Sequence, residues 1–256
     1  MNIPILYEDN EVVAVNKPAG LVVHPDGRTK RETLIDWIGQ RYPKIVKENV
    51  GEPIILANGE NINKPGIVHR IDRDTSGVLL IAKHQASFLN LKAQFQARTI
   101  KKNYKAIAYG FFKEPHGTIE RPIGRSASDF RKWSAEYGAR GTLREALTEY
   151  HVLGQGTVVE KGKKKKDEII NFSYLDVFPR TGRTHQIRVH LKAVGHPILC
   201  DSLYASGKPC ALGFARMALH ASSIAFKSMD GTARQVEAPI PPDFSSALAF
   251  LKIPNN

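Results

Sequence analysis

The sequence predicts a soluble globular protein that mixes β-strands with α-helices. Its 256 residues are enough to bury a sizeable core, as one large domain or as two intimate subdomains. Hydrophobic residues make up 42% of the chain and charged residues 24%, which is typical of a soluble protein. Short apolar runs of strand length stand beside segments whose apolar residues recur at helical spacing, so both kinds of element are expected.

The strand predictions rest on short apolar runs that are bounded by turn-forming residues. Those at 5–7 and 12–15 are separated by Glu8, Asp9 and Asn10 and are expected to form a hairpin. The run at 148–153 is expected to pair with the run at 169–178. Three more strands are predicted at 21–23, 78–82 and 104–109.

The helix predictions rest on apolar spacing and on capping residues. Thr33 is a candidate N-cap for a helix with Leu34, Trp37 and Ile38 on one face. An amphipathic helix is predicted at 85–98, and a last helix near Ser245. Another is expected to begin after Thr184, with an apolar stripe opposite a polar face that carries Arg188. The segment 42–65 has no clear period and is expected to be rich in loops.

The charge of the chain favours a polyanionic partner. Lys and Arg number 37 against 25 for Asp and Glu, a formal net charge of +12. Segment 117–144 interleaves arginines with Phe130, Trp133 and Tyr137, which fits either a nucleic-acid surface or a solvated basic loop. The lysine-rich run at 161–166 is expected to be an exposed loop tip.

Other classes of protein find little support in the sequence. No apolar run approaches the ~20 residues that span a bilayer, and the start has no secretory signal, so we expect a cytoplasmic chain. Cys200 and Cys210 are candidates for a disulfide, but nothing demands one, and reduced thiols are the simpler expectation. No Walker motif, dinucleotide fingerprint or zinc spacing is present, so we expect no cofactor and no metal.

Two polar segments are candidates for a functional site, and each has a purely structural alternative. The segment 69–77 places ionisable residues just before a predicted buried strand, as an active site or as a capped turn. The segment 179–188 places Arg180, Arg183 and Arg188 around a helix N-terminus. A phosphate site or an ion-pair network would explain it equally well.

Seven segments of the chain resemble, in the same order, the motifs of RluA-type RNA pseudouridine synthases. One of these segments, 69–77, contains His69, Arg70, Ile71, Asp72, Thr75, Ser76 and Gly77. The other segments are 15–20, 102–106, 181–190, 195–198, 219–221 and 238–239. One such match would be weak, but several in register are specific. Ile71 stands where the family commonly has Leu, which is a conservative change.

The resemblance implies an α+β pseudouridine synthase fold, with a long antiparallel or mixed sheet and two subdomains flanking an RNA-binding cleft. Because the first family motif begins near Ile5, we expect residues 1–256 to form one catalytic domain without the S4 RNA-binding domain that many members carry. The implied partner is ribosomal RNA or transfer RNA, and a monomer is expected.

The resemblance also assigns roles to residues at the matching positions. Asp72 is implied to be the catalytic carboxylate, with Asp74 as the rival two residues away. Arg183 is implied to be its basic partner, because an adjacent cation offsets the desolvation of a carboxylate. Tyr104 is implied to stack on the base, and Ile187 to pack near that ring.

The remaining assignments concern contact with the RNA. Arg70 is implied to take the place of the uridine that is flipped out of its stack. Lys17 and Arg188 are weaker candidates for RNA contact. Two other functions are kept beside the isomerase, namely an RNA-binding module without activity and a glycosidase that uses Asp72 and Asp74.

Overall fold

The computed structural model describes residues 1–25, 32–55, 59, 61–136, 138–160 and 168–254. It divides into two compact units. The first unit comprises Met1–Lys101 and Ala221–Pro239, and the second comprises Lys102–His220 and Ile240–Asn256. Strands and helices are mixed in a sheet-dominated α+β architecture, as predicted.

The elements of the described residues follow in chain order. The strands are β1 (Ile5–Glu8), β2 (Val12–Lys17), β3 (Ile54–Ile55), β4 (Asn61–Ile62), β5 (Ser76–Ala82), β6 (Lys101–Tyr109), β7 (His116–Glu120), β8 (Ile123–Arg125), β9 (Trp133–Ser134), β10 (Arg140–Arg144), β11 (Leu147–Glu160), β12 (Glu168–Pro179), β13 (Leu219–Lys227) and β14 (Ala233–Glu237). The helices are α1 (Leu34–Arg41), α2 (Pro43–Lys47), α3 (Gln85–Gln96), α4 (Gln186–Ala193) and α5 (Pro242–Leu251).

The first unit is built on the strand order β1-β2-β5-β13-β14. The predicted hairpin of β1 and β2 is confirmed, and β2 pairs antiparallel with the fully buried β5. Helix α1 begins as predicted, because the Thr33 side chain accepts from the Asp36 amide while the Asp36 carboxylate accepts from the Thr33 amide. These elements place the polar segment 69–75 immediately before a rigid, buried strand.

The second unit contains the strand order β6-β12-β11-β7 and a small sheet of order β10-β8-β9. The predicted pairing of β11 with β12 is confirmed, and both strands extend further than the sequence indicated. Phe244 and Leu248 of helix α5 are fully buried in a core that includes β6 and β12. A Cβ atom at Gly156 would lie 2.9 Å from the carbonyl oxygen of Leu251, so glycine permits this close contact of β11 with α5.

Several predicted boundaries are wrong. Residues 21–23 form no strand, since Val22 makes only an isolated bridge with Thr33. Helix α4 is not capped by Thr184. Its N-cap is His185 in the left-handed conformation (φ 56°), without a side-chain capping bond. Helix α5 begins three residues before Ser245 because Pro242 occupies its first turn, where the missing amide hydrogen costs nothing. The loop-rich segment 42–65 contains the short helix α2 and the β3–β4 pair.

The expectation of reduced cysteines is also corrected. Cys200 and Cys210 form a disulfide in the second unit, and their Cα atoms are 4.8 Å apart. The spacing of the two cysteines does not require this pairing, because bridging depends on the approach of two Cβ atoms in space. The predicted loop tip at 161–166 and the aromatic residue Tyr137 lie outside the described residues. Among the residues that are described, no helix is long and apolar enough to cross a membrane.

Candidate active site

Asp72 opens a tight turn in the first unit. The Thr75 amide donates to the Asp72 carbonyl at 3.2 Å, and β5 begins at the next residue. The Asp72 side chain is half-buried, whereas Thr75 and Ser76 behind it are buried. The turn therefore holds Asp72 at the boundary between core and solvent, where a carboxylate can meet a ligand.

The segment 15–20 holds this turn in place. The Gly20 amide and the Lys17 ammonium both donate to the Arg73 carbonyl, at 2.8 and 2.9 Å. Lys17 also donates to the carbonyls of Pro18 and Leu21, and its side chain is fully buried (0% exposed). The expectation that Lys17 contacts RNA is therefore corrected, because a buried ammonium that binds three carbonyls has no surface for a phosphate.

The two carboxylates of the turn are in different environments. The Arg73 guanidinium donates two hydrogen bonds to Asp74, at 2.9 and 3.0 Å, on an exposed part of the turn. Such a bidentate pair occupies both oxygens of the Asp74 carboxylate.

Arg70 and His69 are neighbours in the motif but have different contacts. The exposed Arg70 donates from Nη1 to the Nε2 atom of His24, at 3.2 Å. His69 accepts at Nε2 from the Leu80 amide, at 2.9 Å, and its ring stacks on Phe95 at 4.8 Å. His69 thus anchors the motif to β5 and α3, and Arg70 presents its guanidinium to solvent.

Gly77 allows the backbone of β13 to approach the motif. Its φ is +112°, and an added Cβ atom would collide with the carbonyl of Ala221. A side chain at this position would be strained and would also push β13 away. The glycine of the motif is therefore a packing requirement of the first unit.

Tyr104 lies on β6 in the second unit, opposite Val177 of β12. Its ring packs against the core cluster that contains the buried Ile187, and the roles assigned to both residues stay predictions. Lys102 is on the same face of β6, and its ammonium donates to the Thr181 carbonyl at 3.2 Å. That face of β6 therefore lies against the turn that carries Arg183. Burial lowers the pKa of Lys102 to about 8.

Arg183 lies in the turn between β12 and α4 and is half-buried. Its backbone amide donates to Oε1 of Gln186 at 3.0 Å, and its Nε donates to the Glu145 carbonyl at 3.0 Å. The guanidinium is thus held near the chain that leads from β10 into β11. These two bonds use the backbone amide and Nε, and neither uses the terminal guanidinium nitrogens.

Arg188 is a structural residue in this fold, which corrects its assignment to RNA contact. Its guanidinium donates to both oxygens of Asp201, at 2.7 and 2.8 Å, and the residue is only 7% exposed. It also lies over the Tyr204 ring, 4.9 Å from the centroid. Since its charge is already neutralised inside the second unit, Arg188 supports α4 from within.

His190 belongs to a buried hydrogen-bond chain on the same helix. Its Nε2 donates to the Arg121 carbonyl at 2.9 Å, because a carbonyl can only accept. Its Nδ1 is 2.9 Å from the Thr148 hydroxyl, which donates to it when the ring is neutral. Burial lowers the pKa of His190 below the usual value of 6.5, so the neutral ring prevails at pH 7.

This lowered pKa predicts a pH dependence of stability. The unfolded chain binds the His190 proton more readily than the folded chain does. The free energy of unfolding should therefore be highest above pH 6.5 and fall as the pH drops below it, by at most about 1.4 kcal/mol per pH unit from this residue. Urea unfolding between pH 7.5 and 5 should give a shallower decline for His190→Gln than for the wild type. Equal slopes would contradict the assignment.

The basic segment 117–144 remains a candidate RNA surface. β10 is exposed along its whole length, and Phe130 is 75% exposed. The Arg125 guanidinium lies 4.2 Å from the centroid of the Trp133 ring, a cation–π contact. Arg131 is instead paired with Asp129 at 2.8 Å. The two interpretations of the segment, an RNA surface and a solvated basic region, both remain open.

Two residues in the second unit went unrecognised as site residues in the sequence. Gln186 makes four hydrogen bonds around the Arg183 turn, and Lys102 reaches the same turn from β6. Both lie inside segments that resemble family motifs, and that was the available signal. Their partners are distant in sequence, so no local pattern could have indicated the contacts.

Comparison with known proteins finds similarity to RNA pseudouridine synthases along most of the chain. A family model described as RNA pseudouridylate synthase matches residues 11–193. An uncharacterised RNA pseudouridine synthase of Synechocystis is 35% identical over 254 residues, which are 98% of this chain and 70% of that protein. The ribosomal large subunit pseudouridine synthase D of Zymomonas mobilis is 32% identical over 258 residues, covering 98% of this chain and 73% of that protein.

A solved structure is similar as well. Human RNA pseudouridylate synthase domain-containing protein 1 matches with a TM-score of 0.70 and 26% identity, covering 94% of this chain and 84% of that one. The predicted fold family is thereby confirmed. The matched range 11–193 contains Asp72, Tyr104 and Arg183, so the segments that carry all three lie within the region of family similarity.

Proposed function

Because this chain belongs to the RNA pseudouridylate synthase family, we propose that it converts specific uridines of structured RNA to pseudouridine with Asp72 as the catalytic carboxylate. The protein is an isomerase that acts on RNA. The observation that carries the proposal for Asp72 is its place in the turn before β5, in the segment that resembles the family signature.

The reaction needs few groups. The N1–C1′ bond of uridine breaks, the uracil turns, and C5 joins C1′. The proton on C5 leaves and N1 gains one, so the atoms balance. A carboxylate can attack C1′ or assist the departure of the base, as carboxylates do in glycoside chemistry. We assign that step to Asp72, with Arg183 as its basic partner.

Tyr104 and Ile187 are proposed to hold the base. The Tyr104 ring is half-buried and packs against the cluster that includes Ile187, so its orientation is constrained. An aromatic ring can stack on uracil, and its hydroxyl can assist removal of the C5 proton. The rigid β6 strand supports this role, because catalytic groups act best when their rotamers are restricted.

Asp74 is a weaker candidate for the catalytic carboxylate. Both of its oxygens accept from the Arg73 guanidinium, and the pair is exposed. A carboxylate that is engaged in this way is a poorer nucleophile, because attack requires one of those bonds to break. The family motif selects Asp72 for the chemistry, and the pair with Arg73 assigns Asp74 to the turn.

Base flipping is proposed to involve Arg70. A uridine inside a stack is unreachable, so an enzyme that acts on it must extrude the base and fill the gap. Arg70 is exposed and carries a planar guanidinium that can stack and donate hydrogen bonds. Its contact with His24, at 3.2 Å, orients the side chain without covering it.

The proposed substrate is ribosomal RNA or transfer RNA. The name of the Zymomonas mobilis relative assigns that protein to the large ribosomal subunit, which favours ribosomal RNA for this chain. The net charge of +12 suits any structured RNA, since lysine and arginine side chains bind phosphates. The exposed basic segment 117–144 is the surface we propose for additional contacts.

The proposal is tested by tritium release from RNA labelled at C5 of uridine, together with mapping of pseudouridines in cells with and without the protein. We expect tritium release and the loss of specific pseudouridines when the protein is absent. Background release on both ribosomal and transfer RNA would favour an RNA-binding module without activity. Free uracil among the products would instead indicate a glycosidase.

A further inference from the structure

We propose that Gln186 is a positioning residue, which aims the Arg183 guanidinium by binding both the Arg183 backbone and the chain segment that the guanidinium contacts. This inference rests on the proposed catalytic role of Arg183. Gln186 is the first residue of α4 and is almost fully buried. It is not itself placed against the substrate.

The backbone end of Arg183 is held by the side-chain oxygen of Gln186. That oxygen accepts from the Arg183 amide at 3.0 Å and from the Thr181 hydroxyl at 2.7 Å. The turn between β12 and α4 is therefore hydrogen-bonded to the first residue of the helix that follows it. His185, the N-cap of α4, makes no side-chain capping bond, whereas the Gln186 side chain bonds back to the turn before the helix.

The side-chain end of Arg183 is held through the segment 145–147. Nε of Arg183 donates to the Glu145 carbonyl, and two residues later the Leu147 carbonyl accepts from Nε2 of Gln186, both at 3.0 Å. The Leu147 amide also donates to the Thr181 hydroxyl at 3.0 Å. One buried amide group thus binds the Arg183 backbone and the chain two residues after the carbonyl that the Arg183 side chain contacts.

The hydrogen bonds determine the orientation of the Gln186 amide. The oxygen has two donors, and the nitrogen has two acceptors, the Leu147 carbonyl and the Thr148 hydroxyl at 2.9 Å. A flipped amide would place its NH2 group against the Arg183 amide and its oxygen against the Leu147 carbonyl, so these two backbone groups fix the orientation. All four positions of a buried amide are satisfied, and such a network favours one conformation.

The network continues away from Arg183 and is anchored at its far end. Thr148 bonds to His190, which donates to the Arg121 carbonyl. β11, α4 and the end of β7 are therefore joined behind the turn. Because these elements are regular and buried, the turn cannot drift without breaking several bonds together.

Gln186→Met tests the inference, since methionine has a similar shape and cannot make any of the four bonds. The turnover number should fall by about 10- to 100-fold, because a displacement of about 1 Å in a positioned group has an effect of that size. The KM for RNA should change by no more than about threefold, since only transition-state interactions are lost. Arg183→Ala should lower turnover at least as much.

Gln155→Met is the control, at a more exposed glutamine of the same unit. Gln155 lies on β11 in the same unit and donates two hydrogen bonds, to the Phe112 carbonyl and the Ser173 hydroxyl, but it does not contact the Arg183 turn. It should lower thermal stability without lowering turnover. If both glutamine variants lower turnover equally, the effect is general loosening and the inference fails.

The double variant Gln186→Met/Arg183→Ala decides whether Gln186 acts through Arg183. Its turnover should equal that of Arg183→Ala alone, because a positioning residue has no effect once its target is gone. If the fold-loss of turnover in the double variant equalled the product of the two single fold-losses, the inference would be overturned. A wild-type protein without activity would instead contradict the proposed function, so the two failures are distinguishable.

Thr181→Val provides a second route if Gln186→Met does not fold. It removes one hydroxyl that accepts from the Leu147 amide and donates to the Gln186 oxygen, while keeping the shape of the side chain. We expect a smaller loss of turnover, about 3- to 10-fold, with an unchanged KM. A soluble Thr181→Val protein with wild-type turnover would contradict the network.

Discussion

Asp72→Asn is expected to lower pseudouridine formation by at least about 1,000-fold while the affinity for RNA stays close to that of the wild type. Asparagine has nearly the same shape as aspartate but cannot act as a nucleophile or as a base. The turn should persist, because it depends on the Asp72 carbonyl and on the bonds from Lys17 and Gly20 to the Arg73 carbonyl. Single-turnover tritium release and filter binding measure the two quantities separately.

Asp74→Asn is the control for this experiment, since it makes the same change two residues away. It weakens the exposed pair with Arg73, which is worth about 1 kcal/mol or less, and should leave most of the activity. Normal turnover by Asp72→Asn would refute its assignment. Loss of activity in Asp74→Asn alone would exchange the roles of the two carboxylates.

Arg188→Met is expected to destabilise the protein by about 3–5 kcal/mol, because it leaves the Asp201 carboxylate buried without its cation. Asp201 would retain only the backbone amides of Leu203 and Tyr204, at 3.0 and 3.1 Å. Urea unfolding measures the loss. The double variant Arg188→Met/Asp201→Asn should recover part of it, since the uncompensated charge is then removed.

Arg180→Met is the matched control for burial. Arg180 forms a bidentate pair with Glu149 in the same unit, at 2.9 and 2.6 Å, but both side chains are largely solvated. Its loss should cost about 1 kcal/mol or less, because water screens an exposed pair. If the two single variants were equally destabilising, burial of the Arg188 pair would not add to stability. If Arg188→Met kept its stability but bound RNA more weakly, Arg188 would be an RNA contact after all.

The elements that the sequence predicted well depend on local rules. The hairpin of β1 and β2 follows from two apolar runs around Glu8, Asp9 and Asn10, and α1 from the capping box of Thr33 and Asp36. The pairing of β11 with β12 follows from their apolar runs and the polar segment between them. Each of these features is encoded within a few residues, so a single sequence is sufficient to find it.

The wrong predictions concern two charged residues and the start of one helix. Lys17 and Arg188 were weaker candidates for RNA contact, yet each is buried and bonded to polar groups of the protein. Those partners are carbonyls and a carboxylate that the fold brings from elsewhere in the chain. The predicted cap at Thr184 is wrong because His185, in the left-handed conformation, is the N-cap of α4.

By itself, the sequence determined the family, the α+β class and the segments that carry the candidate residues. Motif order and local periodicity are properties of the sequence itself, so they can be read without a structure. Only the tertiary structure decided which cations are structural, that Cys200 pairs with Cys210, and that Gln186 binds around Arg183. Burial and hydrogen-bond partnership are properties of residues that meet in space, and their energies depend on the absence of water, which a linear sequence does not specify.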